Sequence, residues 1–202
     1  MEDAELNAKE GSWRLFMTRN ADPGFQAFSE RVCKSFSYRC SFCGFTSLKN
    51  LDIINLDGDY RNNKMSNLRP ACPFCSQCFF LEVVGKGDFG GGFLIYTPEM
   101  TQAQVSALCH VFLSSIVLDN DFVSHSKDAY RLLKSRSSTV ESILGKELSS
   151  PSAYGQMLID MPDNAKVIHD QVKKKFRLLP NLKRFSKLAV EWSEKAINDL
   201  SK

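Results

Sequence analysis

Long apolar runs are missing from this 202-residue chain. The longest largely apolar stretch, residues 107–118, is interrupted by His110, Ser114 and Ser115 and falls short of the roughly 20 residues a membrane span needs. Any membrane association is therefore expected to run through a partner. The opening Met1-Glu2-Asp3-Ala4-Glu5 lacks the positive-then-apolar pattern of an export signal, so a cytoplasmic location is expected. Histidine is scarce. His110, His125 and His169 are scattered, with no acid or nucleophile at fixed spacing, and each is expected to be a core, cap or surface residue rather than part of a catalytic set. No internal repeat or low-complexity tract occurs, which excludes a solenoid. Neither sign of charge dominates, with 26 Lys/Arg against 23 Asp/Glu, so the whole molecule carries no strong field.

Cysteine is what the chain does have, seven in all. Four stand in two close pairs, Cys40-Ser-Phe-Cys43 and Cys72-Pro-Phe-Cys75. A two-residue gap lets both thiolates of a pair turn onto one metal, and two pairs supply the four sulfurs that tetrahedral zinc prefers. An all-sulfur set without histidine points to a closed, structural site rather than a catalytic one. The competing reading is four reduced cysteines packed in a core, or paired as disulfides. An odd total and no export signal favour a reducing compartment. The 28 residues between the pairs exceed a short ribbon loop and call for an inserted element such as a strand pair. Cys78 also lies at ligand spacing from Cys75 and could replace Cys72 or Cys75. Cys109 reads as a buried small hydrophobe, and Cys33 has no comparable partner.

The character of the chain changes near residue 98. The first part is loop-rich and holds every glycine except Gly145 and Gly155. Strands are expected at 13–17, 51–55 and 92–97, while 73–84 is ambiguous between helix and strand. The second part reads as successive helices. Thr101-Gln-Ala-Gln104 has the form of a capping box opening a helix to about residue 118, with Val105, Leu108, Cys109, Phe112 and Ile116 on one face. Others are expected from Ser138-Thr-Val-Glu141 to Gly145, from Ser150-Pro151 to Pro162, from about 163 to 175, and from Leu179-Pro180 through Phe185, Leu188, Trp192 and Ala196.

Gly85-Lys-Gly87-Asp-Phe-Gly90 matches a dinucleotide fingerprint only formally, because a strand-like segment rather than a helix follows it. A flexible connection is the expected reading. More informative is the order Cys40-Ser-Phe-Cys43-Gly44, Leu51-Asp-Ile-Ile-Asn55-Leu-Asp57-Gly58, and Asn67-Leu68-Arg-Pro-Ala-Cys72-Pro-Phe-Cys75. Over about residues 38–80 it resembles the zinc-stapled HNH endonuclease module, a ββα-metal unit framed by two Cys-x-x-Cys knuckles. The family's His-His pair falls on Ile54 and Asn55, and its last His on Ser76; Asn67 alone survives. That mechanism needs a neutral imidazole to take a proton from water and ligands to hold a divalent metal at the phosphate. Neither Ile54 nor Asn55 can act as that base, so the resemblance implies a kept scaffold without the chemistry. Asp52, Asp57 and Asp59 could hold Mg²⁺ in principle, which leaves a nuclease using Asp57, Asp59 and Asn67 as a rival.

A wider resemblance rests on Cys72-Pro-Phe-Cys75-Ser-Gln-Cys78-Phe-Phe-Leu, the glycine-rich loop and Phe93-Leu-Ile-Tyr-Thr-Pro-Glu-Met-Thr-Gln102. These look like the IcmJ/DotN family of the Dot/Icm type IVB secretion system. The resemblance implies an α+β protein with a zinc-stapled HNH-like ββα-metal core and a mostly helical C-terminal half. It further implies a non-catalytic adaptor that binds the cytoplasmic part of the DotL-type coupling ATPase and other secretion subunits, and aids effector recruitment at the inner membrane. One structural Zn²⁺ on Cys40, Cys43, Cys72 and Cys75 is the expected cofactor. No small-molecule substrate is expected. The expected division is 1–98, a zinc-binding HNH-like region, and 99–202, a helical region packed on it, either as two units or as one continuous domain. A basic run, Lys166, Lys173, Lys174, Lys175, Arg177, Lys183, Arg184 and Lys187 against the single acid Asp170, could meet an acidic protein surface, anionic lipid or nucleic-acid phosphate (the disfavoured case), or simply form a solvated helical face. Fifteen phenylalanines, among them Phe79-Phe80 beside the second knuckle, suggest aromatic surface left over for a partner.

Overall fold

Helix opens the chain where a strand was expected. In the computed structural model, which describes residues 2–200 apart from the side chains at 167, 168 and 194–200, α1 spans Ser12–Asn20 and takes in residues 13–17. Ser12, Phe16 and Arg19 are buried, a helical recurrence that a five-residue apolar window cannot reveal. Next comes α2, Pro23–Ser35, a helix outside the expected elements. Its start was nonetheless written locally: Pro23 stands in the first turn, and the Asp22 carboxylate accepts from the Phe25 N–H at 2.7 Å.

Strands β1 (Asp52–Asn55) and β2 (Leu68–Ala71) form the expected inserted pair, antiparallel from Asp52↔Ala71 to Asn55↔Leu68. The ambiguous 73–84 segment is neither a long helix nor a strand. It is one turn, α3 (Pro73–Ser76), followed by 3-10 turns at Gln77–Phe79 and Leu81–Val83. The glycine-rich loop then leads to β3 (Gly92–Tyr96), not to a helix. It is pinned rather than flexible. The Gln77 side chain accepts from the Gly91 N–H at 2.7 Å and fills the space where any Cβ at left-handed Gly90 (φ 54°) would have to go.

The Thr101 capping box is present, and α4 runs Gln102–Leu118. Its buried face carries Val105, Cys109, Phe112 and Leu113 as well as His110, while Leu108, expected on that face, is exposed. After it come α5 (Val123–Ser135), α6 (Ser137–Leu144), α7 (Pro151–Asp160) and α8 (Asp163–Lys173). Helix α5 is likewise outside the expected elements.

The second half is not wholly helical. Phe176–Pro180 is β4, antiparallel to β3 from Gly92↔Pro180 to Tyr96↔Phe176, and the last helix, α9, begins only at Ser186 (Ser186–Leu200) after a 3-10 turn at Leu182–Phe185. A strand wins here because Phe176, Leu178 and Leu179 are all buried, so a sheet covered on both faces replaces the alternation that would have marked it. Its free edge is closed by a side chain: Gln102 Nε2 donates to the Leu178 carbonyl at 2.9 Å, and the Leu178 N–H donates to Gln102 Oε1 at 2.8 Å. Ser201 and Lys202 lie outside the described residues, as does the side chain of Ala196.

One apolar core draws on the whole chain, with Leu6, Phe16, Phe42, Phe74, Phe80, Leu94, Val105, Tyr154, Phe176 and Leu178 among its members. Phe25, Val32, Cys33, Ile53 and Leu68 form a smaller cluster between α2 and the first sheet. This packing overturns the expectation of spare aromatics. Of the fifteen phenylalanines only Phe122 is exposed, and Phe79-Phe80 packs on Phe42 and Phe16.

Candidate metal centre

Two tight turns build the site. In the first, the Cys40 N–H donates to the Phe45 carbonyl at 2.8 Å and the Gly44 N–H to the Cys40 carbonyl at 3.0 Å, folding Cys43 back beside Cys40. Gly44 closes this turn with φ 80°, a left-handed conformation for which glycine is suited. In the second, Cys72 precedes α3 with Pro73 in the first helical turn, and the N–H groups of Cys75 and Ser76 both donate to its carbonyl at 2.9 Å. The knuckles are tied together by the Ser41 N–H, which donates to Pro70 O at 2.8 Å on β2.

As a result the four sulfurs lie within 4.8 Å of one another, with Cys43 Sγ and Cys72 Sγ 3.5 Å apart. Metal–sulfur bonds of about 2.3 Å in a tetrahedron put sulfurs about 3.8 Å apart, so the set can hold a metal ion and is compatible with zinc. The electrostatics agree. Hydrogen bonds from Cys43, Cys72 and Cys75 hold the Cys40 thiol far below its usual pKa, while burial, and then the neighbouring sulfurs, push Cys72 up, and those sulfurs followed by burial do the same to Cys75. Four sulfurs this close cannot all be thiolates unless a cation neutralises them.

Cys78 is not in the set; its thiol points back to the Phe74 carbonyl at 4.0 Å. Cys109 is buried as expected, and Cys33 lies in the smaller cluster, where burial pushes its pKa up to about 11.

His110 was not anticipated at this site. It lies on α4 with Nε2 3.3 Å from Cys72 Sγ, its ring held between Phe45 (centroids 3.8 Å) and Phe74 (4.2 Å). Burial lowers its pKa to about 3, which favours the neutral ring, and the tautomer protonated on Nε2 would donate to the Cys72 sulfur once a metal holds it as thiolate. The 38 residues between them carry no spacing signal.

The positions on which the HNH resemblance would put histidines, Ile54, Asn55 and Ser76, are all buried. Ile54 is fully buried. Asn55 accepts a hydrogen bond from the Arg19 guanidinium and donates to the carbonyls of Asp59 and Asn62, each at 2.8 Å. Ser76 is buried beside Asp52, whose carboxyl is raised by burial. Arg19 itself is buried against the rings of Phe16, Phe25 and Tyr60, and burial lowers its pKa to about 10. Asp57, Asp59 and Asn67 do come together, but as a loop clip. Asn67 Nδ2 donates to Asp57 Oδ1 at 2.9 Å, the Asp57 N–H donates back to Asn67 Oδ1 at 3.1 Å, and Asp59 pairs with Arg61.

Four members of the basic run have partners within the fold. Lys166 pairs with Asp163 and Lys173 with Asp170 along α8. Arg177 on β4 donates to the carbonyls of Met100, Lys174 and Phe176, and Arg184 to that of Gly87. Lys174, Lys175, Lys183 and Lys187 remain exposed.

Among the described residues no helix is long and apolar enough to cross a membrane. No model of a known protein family matches the chain. It is 42% identical over 199 residues, 98% of its length and 93% of the relative's, to a protein of Legionella pneumophila subsp. pneumophila (strain Philadelphia 1) named type 4 apparatus protein DotN. Identity of that degree along nearly the whole of both chains means that this protein belongs to the DotN/IcmJ family of type IV secretion apparatus proteins.

Proposed function

We propose that this protein is a non-catalytic, zinc-stabilised adaptor of a type IV secretion coupling complex, binding the cytoplasmic part of the coupling ATPase and aiding effector recruitment. The observation that carries the reading is the similarity, along almost the whole chain, to a secretion apparatus protein. Cys40, Cys43, Cys72 and Cys75 would hold one structural Zn²⁺, a role supported by the closed all-sulfur set with three buried members. An HNH-like scaffold is supported by the order knuckle, β1, β2, knuckle, α3. Absence of catalysis is supported by Ile54, Asn55 and Ser76, whose side chains are buried, two of them apolar or fully engaged, where a nuclease would need imidazole. Thiolate ligation requires reduced cysteines, which fits a cytoplasmic protein held at the inner membrane by its partner.

The ranges 1–98 and 99–202 are best read as one continuous domain, because β3 and β4 pair across that boundary. Pairwise reconstitution tests the adaptor reading. Purified protein mixed with the cytoplasmic region of the coupling ATPase from the same cell should elute as a stable complex retaining zinc. Separate elution at micromolar concentrations of both would defeat it.

A further inference from the structure

Between α4, α5 and the 3-10 turn before α9 lies a groove of about 720 Å³. Its floor is apolar, made by Phe93, Leu113, Ile116, Val117 and Leu182. The one phenol in it, Tyr130, already donates to the Pro180 carbonyl at 2.9 Å. No unpartnered buried polar atom lines the floor among the described residues, so nothing there would orient a small polar ligand.

The rim is basic. Lys127, Arg131 and Lys134 project from α5, with Lys183 across from them, and no carboxylate lines the groove. Arg131 pairs with Asp128 at the surface, whereas Lys127, Lys134 and Lys183 form no ion pair among the described residues. Lys134 Nζ sits 4.2 Å from the centre of the Phe93 ring, which covers the aromatic face a stacked base would need. Strand addition is also closed off. Gln102 occupies the outer edge of β4, and Leu94 N–H on β3 donates to Ser149 O at 2.8 Å. A visitor must therefore dock through side chains, apolar in the middle and negative at the borders.

We infer that this groove receives a segment of a partner protein whose apolar side chains are flanked by Asp or Glu. The inference rests on the adaptor reading and makes the coupling ATPase's cytoplasmic region the donor of that segment. Apolar anchors on the floor would supply most of the affinity, and the four exposed cations would steer the approach.

The test uses the full chain and the ATPase cytoplasmic region. Lys127→Glu, Lys134→Glu and Lys183→Glu combined should weaken binding about tenfold or more and flatten its salt dependence. Combined Lys34→Glu, Lys64→Glu and Lys146→Glu, likewise exposed but not lining the groove, should leave it unchanged; matched circular dichroism and zinc content verify both folds. A photo-crosslinker replacing Val117 should capture an ATPase peptide with Leu, Ile, Met or Phe beside Asp or Glu. If wild type binds and the groove variant binds equally well, or the captured peptide is basic, the groove assignment fails while the adaptor reading stands. If wild type does not bind, both fail. Binding to phosphatidylserine vesicles that is lost in the groove variant while ATPase binding persists would reassign the groove to lipid and overturn the inference.

Discussion

The sheets β1–β2 and β3–β4 each pair two short antiparallel strands, yet they are secured by different means. Between β1 and β2 stand only residues 56–67, clipped by Asp57 and Asn67, and the pair is bracketed by the two cysteine knuckles. Between β3 and β4 stand residues 97–175, and the pair is held by burial, with Leu94, Ile95, Leu178 and Leu179 fully enclosed. The first sheet closes a short loop, a small entropic cost, and sits between the two knuckles with Ile53, Ile54, Leu68 and Ala71 buried. The second closes a long loop, a larger entropic cost, and the common core offsets it.

If Cys40, Cys43, Cys72 and Cys75 hold zinc as proposed, removing it should separate the two regions most sharply. Structural zinc of this kind contributes on the order of 10 kcal/mol to folding, so chelation, or Cys75→Ser, should unfold residues 38–80. Hydrogen exchange by mass spectrometry should then show protection lost first over β1, β2 and both knuckles. Full stability after complete chelation, or well below one equivalent of zinc in purified protein, would refute the staple.

Truncating the other sheet should do the reverse at smaller cost. Leu178→Ala removes a wholly buried side chain and should destabilise the protein by about 2–5 kcal/mol in denaturant unfolding. Zinc content should stay at one equivalent. If this variant loses metal while still folded, the two regions are not separately secured.

The smallest effect is expected where the regions touch. His110→Phe keeps the ring stack with Phe45 and Phe74 but removes the ring nitrogen beside Cys72 Sγ. Metal affinity, read by competition with a coloured chelator, should fall about 10–100-fold, with little change in far-ultraviolet circular dichroism. An unchanged affinity would mean that His110 only packs.

The sequence on its own determined what is local. Cys40–Cys43 and Cys72–Cys75 bring their ligands together through turns of a few residues, and the Thr101–Gln104 capping box and the Pro151 start are read from neighbours in the chain. These features depend on spacing, and spacing is printed in the sequence. The 176–180 strand escaped because an apolar run buried on both faces has no alternation to distinguish it from a helix. The 13–17 run escaped for a related reason: five residues are too few to show a helical period. Only tertiary structure could decide that Gln102 would close the edge of β4, that His110 would lie against Cys72, or that the phenylalanines would be spent on the core rather than the surface. Each joins residues far apart in the chain, where the gain of contact must outweigh the entropy of closing a long loop. No pattern among neighbouring residues records which distant partner wins that balance.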